Sequence, residues 1–222
     1  LQVISSEKIF YRDGNFFCDN LDIKSTPEGL SNYFNVNLIS KKTNISKKHK
    51  INLQFIKTYR NIFSYIFNIV KSTRMKNTKY LIISLSPLTF LACIFLKFFK
   101  KTPYVYLRSN GYDEYKIILG KLGYFVYHLM FVITSKISIL ISCREYILMR
   151  RKGFIVSPSQ LTKNWYENRK VPNSIKQNLL YVGRVRKEKG IFSLLKIIKN
   201  HPEILLSVVG ADETTKSINQ EN

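Results

Sequence analysis

The chain has 222 residues, which is enough for one large domain or for one and a half smaller ones. Hydrophobic residues make up 45% of it and aromatic residues 14%, a composition that provides for a core and excludes a disordered chain. The formal net charge of +22 predicts an anionic partner: nucleic acid, a phosphorylated substrate or an acidic membrane surface.

The first part of the chain alternates apolar runs with polar or basic segments. Residues 2–5 predict a first strand, and an irregular stretch follows to Glu28. Residues 36–40 predict a second strand, and residues 41–50 a basic linker. Over residues 51–71 apolar side chains recur at helical spacing, which predicts one long amphipathic helix.

The apolar stripe of this helix has two interpretations. A helix packed against a sheet shows such a stripe, and so does a basic amphipathic helix in a membrane interface. Both hold if the helix packs inward while its lysines face anionic lipid. The residues of the stripe are Phe55, Ile56, Tyr59, Ile62, Phe63, Ile66, Phe67 and Val70.

Basic residues are concentrated where acidic residues are missing. Between Glu28 and Asp113 the sequence contains 15 lysines and arginines and no acidic residue. A lysine-rich codon usage explains part of this excess but not the absence of acids. We predict that the cations of the first half of this interval face an anionic membrane surface: Lys41, Lys42, Lys47, Lys48, Lys50, Lys57 and Arg60.

The second part of the chain continues the alternation of strands and helices, which predicts a mainly parallel, doubly wound sheet. Ser86 and Pro87 are typical of an N-cap and a first helical residue. The predicted elements are strands at residues 80–85, 104–107, 137–142 and 155–156, and helices at residues 87–100 and about 113–134.

No segment predicts a transmembrane span. The apolar run at residues 88–99 is a dozen residues long, short of the ~20 that a span needs. Residues 122–141 form a longer run, interpreted as the end of a helix, a break near residues 134–136 and a buried strand. The polar, acidic start of the chain does not resemble a signal peptide. The three scattered cysteines, Cys18, Cys93 and Cys143, predict reduced thiols of a cytoplasmic protein.

Residues 179–209 predict a strand–helix–strand unit with a cationic loop after its first strand. The strand ends at Gly183, Arg184 follows, and Lys189 and Gly190 precede a helix over residues 191–200. In open α/β sheets the ligand lies beyond the carboxyl ends of the strands, beside helix N-termini that attract anions. Arg184 and Lys189 are therefore placed where a phosphate would lie.

This stretch resembles the donor-site signature of the retaining, nucleotide-sugar-dependent glycosyltransferases of family 4 (group 1). The resemblance rests on Gly183-Arg184 and Glu188-Lys189-Gly190, and it is specific over residues 179–212 and loose before them. It implies the GT-B fold, two Rossmann-like domains facing each other across a cleft. It also implies that Arg184 and Lys189, with the two glycines, bind the donor diphosphate, and that neither a metal nor another cofactor is needed.

The predicted fold class is α/β and GT-B-like: a Rossmann-like doubly wound parallel sheet plus the first βαβ unit of a second Rossmann-like domain. We predict an acceptor-side domain over residues 1–161, a linker over 162–178, and the start of a donor-binding domain over 179–222. Two residues are candidates for the cleft. Arg108 follows a predicted strand, although an arginine without a special role explains that position equally well. Gly14 is the one glycine near the end of the first strand.

The resemblance implies transfer of a sugar from a nucleoside-diphosphate sugar to a glycan or lipid-linked acceptor in cell-envelope polysaccharide synthesis. The expected location is cytoplasmic, peripheral at the inner face of the cell membrane. The family's acidic pair downstream of the motif is missing, so an incomplete donor domain is expected. The alternative is a non-catalytic truncated homologue that binds membrane or glycan. The βα alternation and the lack of a nucleic-acid motif argue against nucleic-acid binding.

Overall fold

The computed structural model describes residues 1–157, 167–168, 178–183, 185 and 190–210. The chain divides into two units, Leu1–Gln160 and Leu161–Asn222. The strands of the first unit are β1 (Gln2–Arg12), β2 (Asn15–Cys18), β3 (Asn37–Thr43), β4 (His49–Ile51), β5 (Phe55–Tyr59), β6 (Tyr80–Ile83), β7 (Tyr104–Leu107), β8 (Ile139–Ser142) and β9 (Gly153–Ile155). Its helices are α1 (Leu21–Ser31), α2 (Ile62–Thr73), α3 (Pro87–Phe98) and α4 (Gly111–Ile137), with a 3-10 turn at Glu145–Leu148.

Seven strands of the first unit run parallel, in the spatial order β5-β3-β1-β6-β7-β8-β9. The chain order reverses between β1 and β6, as in a doubly wound Rossmann-like sheet. Beyond the segment that pairs with β6, β1 continues to pair in parallel with β3 on one side and pairs antiparallel with β2 on the other, and β2 pairs antiparallel with β4. The predicted α/β fold with a mainly parallel sheet is confirmed.

Side chains alternate between the two faces of the central strands, so that each face has its own core. One face buries Ile4, Ile39 and Ile82 against α2, α3 and α4. The other buries Val3, Leu38 and Leu81 together with Ile23 of α1. Helices on both faces explain why these strands are nearly continuous apolar runs.

The prediction of one long helix over residues 51–71 is wrong for residues 51–61. Residues 55–59 form β5, which pairs in parallel with β3, and the helix begins only at Ile62. Asn61 caps α2 in a capping box with Ser64, which fixes this start. The buried residues of α2 are Tyr65, Ile69 and Ser72, whereas Phe63 and Phe67 of the predicted stripe are exposed.

Three further boundaries differ from the prediction. The irregular stretch predicted before Glu28 contains the second half of β1, the strand β2 and the helix α1, which Asn20 caps. The predicted basic linker contains the end of β3 and the strand β4. The helix α4 runs through residues 134–136 to Ile137, so that β8 begins at Ile139.

By length and composition α4 could cross a membrane, and within the described residues it is the one such helix. It is, however, broken at Gly120, whose φ of 63° and ψ of −146° are not helical. Residues 111–119 and 121–137 form two arms that pack against each other. A Cβ atom at Gly123 would overlap the carbonyl oxygen of Tyr115, and one at Gly111 would overlap the ring of Tyr127. Each pair joins the two arms and is centred on residue 119, next to the break, so α4 is a helical hairpin.

The second unit is described at β10 (Asn178–Val182), α5 (Ile191–Ile198) and β11 (Leu205–Val209). β10 and β11 pair in parallel with α5 between them in the chain. Ile191, the first residue of α5, is buried. The predicted strand–helix–strand unit is therefore confirmed.

Candidate functional site

A group of hydroxyl side chains, here called the polar crevice, lies where the chain order of the sheet reverses, at the end of the paired segments of β1 and β6. Ser6 follows the part of β1 that pairs with β6, and its hydroxyl oxygen lies 3.0 Å from that of Ser86. Ser86 caps α3, so that the N-terminus of this helix faces the crevice. In doubly wound sheets such a position is where ligands bind. Hydroxyl groups beside a helix N-terminus can donate hydrogen bonds to the oxygen atoms of a sugar or a phosphate.

Ser84, directly after β6, has a left-handed backbone with a φ of 64°. This conformation costs a non-glycine residue about 1 kcal/mol or more and persists only where its surroundings hold it. Here the backbone N–H of Ser84 donates to the carbonyl oxygen of Tyr106 at 2.9 Å. The hydroxyl of Thr89 donates to the carbonyl oxygen of Ser84 at 2.8 Å. The loop that leads into α3 is thus held rigidly at the crevice.

Arg108 follows β7 at the same edge of the sheet and joins three elements. Its Nη1 lies 2.8 Å from Oδ2 of Asp22 and donates to Oδ1 of Asn20 at 3.0 Å. The amide Nδ2 of Asn20 in turn donates to Oε1 of Glu7 at 2.9 Å. This network connects the end of β7 with the start of α1 and with β1.

The guanidinium of Arg108 has an unsatisfied hydrogen-bond donor. Its Nε is buried and has no hydrogen-bond partner among the described residues. A buried donor left unsatisfied costs about 1–3 kcal/mol, so an oxygen acceptor brought to it would be stabilised. A cavity of about 20 Å³ adjoins Arg108 and is lined also by Ser84, Leu85, Leu107, Ser109, Gly111, Glu114 and Tyr127.

Gly14 lies in the turn between β1 and β2. Asp13 and Gly14 have φ angles of 49° and 76°, the pair of left-handed residues that a two-residue hairpin turn requires. The turn is at the far end of the hairpin, beyond Arg12 and roughly 20 Å along β1 from the crevice at Ser6. A cleft role for Gly14 stays a prediction, while its turn role follows from the backbone.

The seven cations predicted to face a membrane lie in different surroundings in the structure. Lys41, Lys42 and Arg60 line a cavity of about 400 Å³ with Lys8, Thr43 and Asn44. By contrast, Lys47 is paired with Asp19 at 2.6 Å, and the backbone N–H of Lys48 donates to the same carboxylate. Lys50 lies in β4 and Lys57 in β5.

The four cations around this cavity, Lys8, Lys41, Lys42 and Arg60, form no ion pair with any carboxylate in the part of the chain that the structure describes. Lys42 lies 5.9 Å from the ring centre of Tyr11, a cation–π contact. Lys8 was not among the predicted cations, because its segment was not predicted to be a strand. Four cations without carboxylate partners make this cavity attractive to an anion.

In the second unit the structure shows both glycines of the resemblance but not the cations between them. Gly183 ends β10, and its N–H donates to the carbonyl oxygen of Val209 at 2.9 Å. Gly190 has a φ of 76° at the N-cap of α5, a left-handed conformation that favours glycine. Arg184 and Lys189 lie outside the described residues, so their contacts stay predictions.

The cysteines are free, with Cys18 and Cys93 buried and Cys143 partly exposed. Burial raises the pKa of Cys18 to about 11 and that of Cys93 to about 12, so neither thiol is a nucleophile at neutral pH. The thiol of Cys143 donates to the carbonyl oxygen of Arg108 at 3.2 Å. In the described part of the chain no group of three or more histidine, cysteine, aspartate or glutamate side chains could hold a metal ion.

Neither a protein-family model nor a curated protein matches this sequence. Among solved structures, UDP-GlcNAc 2-epimerase from Methanocaldococcus jannaschii aligns with 100% of this chain and 68% of its own, at 13% identity and a TM-score of 0.50. A protein assigned as a UDP-N-acetylglucosamine 2-epimerase from Listeria monocytogenes aligns with 100% of this chain and 65% of its own, at 11% identity and a TM-score of 0.49. The chain thus spans about two thirds of the length of these proteins. At such identities the likeness concerns the fold, which is GT-B-like.

Proposed function

We propose that this chain belongs to an enzyme that transfers a sugar, with retention, from a nucleoside-diphosphate sugar to a glycan or lipid-linked acceptor in cell-envelope polysaccharide synthesis. One observation carries the proposal: Gly183 ends β10 and Gly190 opens α5 within a parallel strand–helix–strand unit. The loop between them, residues 184–189, contains Arg184 and Lys189. A cationic loop between a strand end and a helix N-terminus is suited to a diphosphate.

The chemistry of the proposed reaction needs positive charge at the departing diphosphate. As the bond to the sugar breaks, negative charge grows on the leaving group, and Arg184 and Lys189 would stabilise it. Donors placed in advance at such a position contribute several kcal/mol to the lowering of a barrier. On the first unit, the hydroxyls of Ser6 and Ser86 and the guanidinium of Arg108 are suited to orient an acceptor hydroxyl.

The name of the Methanocaldococcus jannaschii neighbour supports a nucleotide sugar as the ligand, because it refers to UDP-GlcNAc. This likeness does not favour glycosyl transfer over epimerisation, since a fold can host several reactions. A decisive experiment therefore records the epimerised sugar as well as the transferred one.

For the location we propose the cytoplasm, at the inner face of the cell membrane. The support is electrostatic: Lys8, Lys41, Lys42 and Arg60 surround one cavity and have no carboxylate partner among the described residues. Each basic residue near an anionic lipid surface contributes about 1 kcal/mol to binding. A non-catalytic chain that binds membrane or glycan is the alternative.

The donor site is tested by calorimetric titration of the 222-residue chain with UDP-N-acetylglucosamine and then with other nucleoside-diphosphate sugars. Arg184→Ala/Lys189→Ala is expected to weaken binding by about tenfold or more, because charged hydrogen bonds to phosphate are lost. Lys199→Ala is the control, since it removes one charge at the other end of α5. Equal affinity in all three proteins would contradict the assignment of the donor site.

Activity is tested separately, by mass spectrometry of the donor after incubation with a lipid-linked saccharide. Release of the nucleoside diphosphate together with an extended acceptor is expected. An epimerised donor sugar would replace glycosyl transfer by epimerisation as the reaction. Donor binding without any product would favour the non-catalytic alternative.

A further inference from the structure

The tip of the α4 hairpin exposes a continuous apolar surface. Ile117 and Ile118 are 84% and 71% exposed, and Leu122 on the other arm is 68% exposed. Leu119 and Phe125 are also more than half exposed. A single exposed leucine needs no explanation, but a contiguous group of five large apolar side chains marks a surface that contacts another apolar phase.

The tip is held in this position by the packing of the two arms below it. The ring of Tyr112 lies 4.8 Å from that of Tyr127 and 4.9 Å from that of Tyr124. Its hydroxyl is 3.0 Å from Nδ1 of His128. The close approaches at Gly111 and Gly123 leave no room for the arms to shift. The apolar residues of the tip are therefore held exposed to solvent.

The charged residues nearest to the tip in the chain, Lys116 and Lys121, are positive. Both side chains are exposed. The acidic residues of α4, Asp113 and Glu114, lie in its first turn, at the base of the hairpin, where they favour the helix N-terminus. Apolar residues flanked by lysines suit an anionic lipid surface, which takes up the side chains and attracts the ammonium groups. A protein partner would have to offer both acidic and apolar groups.

The hairpin projects from the edge of the sheet that carries the polar crevice. Its first arm starts at Asn110, just after β7, at the carboxyl ends of the strands. The second arm, about 25 Å long, returns to the start of β8, a strand of only about 13 Å. The tip thus stands beyond the edge at which Arg108 and Ser86 lie. The cavity lined by Lys8, Lys41, Lys42 and Arg60 is at the same edge, where β1, β3 and β5 end.

We infer that the tip of α4, residues 117–122 with Phe125, inserts into the boundary between headgroups and acyl chains of an anionic bilayer. Lys116 and Lys121 contact the headgroups. The inference rests on the proposed membrane location and names the element that enters the bilayer, but it does not depend on the sugar chemistry. Insertion at this point brings the crevice near Arg108 to the height of the lipid headgroups.

Vesicle flotation of the full chain tests the inference. Vesicles of phosphatidylcholine mixed with phosphatidylglycerol are expected to bind the protein, and vesicles of phosphatidylcholine alone to bind it less. Ile117→Ser/Ile118→Ser is expected to lower the partition coefficient by about tenfold or more, because the buried methylene groups are lost. Phe98→Ser/Phe99→Ser is the matched control, since it also removes two adjacent exposed apolar residues, at the opposite end of α3. It is expected to leave binding within about twofold.

A fluorescence measurement locates the tip directly. The chain has one tryptophan, Trp165, so Leu122→Trp in a Trp165→Phe background provides a single reporter. We expect its emission to shift to shorter wavelength on vesicle binding and to be quenched by brominated acyl chains. Unchanged emission with bound vesicles would overturn the inference, because the tip would then remain in water.

Three further results would count against insertion of the tip into the bilayer. Absence of vesicle binding by the unaltered chain would overturn the inference. The inference would also be overturned if Lys41→Gln/Lys42→Gln abolished vesicle binding and the tip variant did not change it. The basic surface would then be the only contact with the membrane. A dimer in lipid-free solution that the tip variant makes monomeric would assign the tip to a second copy of the chain. Titration with UDP-N-acetylglucosamine is expected to give the same affinity in the tip variant, which separates this result from the donor-site test.

Discussion

Nη1 of Arg108 and Oδ2 of Asp22 lie 2.8 Å apart, and this ion pair joins the end of β7 to the first turn of α1. Both side chains are mostly shielded from solvent, with exposed fractions of 22% and 32%. The pair is therefore screened by water less than a surface pair. Asn20 accepts a second hydrogen bond from the same guanidinium nitrogen, at a separation of 88 residues in the chain.

Arg108→Ala is expected to lower the free energy of unfolding by about 2 kcal/mol, because it removes the cation from a partly buried carboxylate. Arg12→Ala is the control. Arg12 lies 3.7 Å from Asp13 and 5.5 Å from the ring centre of Phe17, and because it is largely exposed the loss of both contacts costs about 1 kcal/mol or less. Urea unfolding of the three proteins checks this, and equal midpoints would show that the network of Arg108 does not stabilise the fold.

On α2 the buried and exposed faces predict opposite mutational effects. Ile69 is fully buried, so Ile69→Ala is expected to cost about 2–5 kcal/mol. Phe67 is 65% exposed, so Phe67→Ala is expected to change stability by no more than about 0.5 kcal/mol. Thermal unfolding of the two variants measures the difference. Similar losses would mean that the whole predicted stripe is covered in the folded protein.

Two glycines in helices provide a matched comparison for the α4 hairpin. Around Gly29 of α1 there is open space for a Cβ atom, so Gly29→Ala is expected to stabilise the protein by about 0.5–1 kcal/mol. At Gly123 the Cβ atom would overlap the backbone of Tyr115, so Gly123→Ala is expected to destabilise it by about 2 kcal/mol or more. Chemical denaturation measures both. A neutral Gly123→Ala would imply that the two arms do not pack closely.

Stability is expected to fall in alkaline solution. Burial raises the pKa of Cys18 to about 11 and of Cys93 to about 12, from an ordinary value of 9.0. Above pH 9 the unfolded chain loses these protons while the folded protein keeps them, so rising pH favours unfolding. Each thiol contributes a slope of about 1.4 kcal/mol per pH unit until its folded pKa is reached. Urea unfolding at a series of pH values above 9 measures the slope. Cys93→Ala should reduce the slope by the contribution of one thiol, about 1.4 kcal/mol per pH unit.

The sequence predicted best those elements whose local signals agree with the fold. Residues 80–85 are continuously apolar, and Ser86 with Pro87 gives a strong helix start, so β6 and α3 were found at nearly their true bounds. β7 was predicted at residues 104–107, as observed. In each of these elements burial and local preference lead to the same structure.

Residues 51–71 show why other elements could not be predicted by periodicity alone. Aromatic and β-branched residues at 55, 56, 58 and 59 favour a strand, but their spacing also matches a helix that continues into α2. The signal that separates the two is the capping box of Asn61 and Ser64. α1 was missed for a different reason: it contains Pro27, which usually interrupts a helix.

The candidate site was predictable only in part. A basic residue after a strand is visible in the sequence, and this signal identified Arg108. Its partners Asp22 and Asn20 are distant in the chain and become neighbours only because β7 and α1 meet at one edge of the sheet. Lys8 is likewise distant in the chain from Lys41, Lys42 and Arg60. It lines the same cavity because β1 pairs in parallel with β3.

The central position of β1 has a consequence for how this chain folds during synthesis. Gln2–Ser5 pair with β6, which begins at Tyr80, so the strand leaves the ribosome long before its neighbour does. At about 5–20 residues per second this delay is roughly ten seconds. During that time the apolar edge of β1 is open to other chains. Mutations that weaken β6 should therefore lower the yield of soluble protein during expression more than they lower the equilibrium stability of the folded chain.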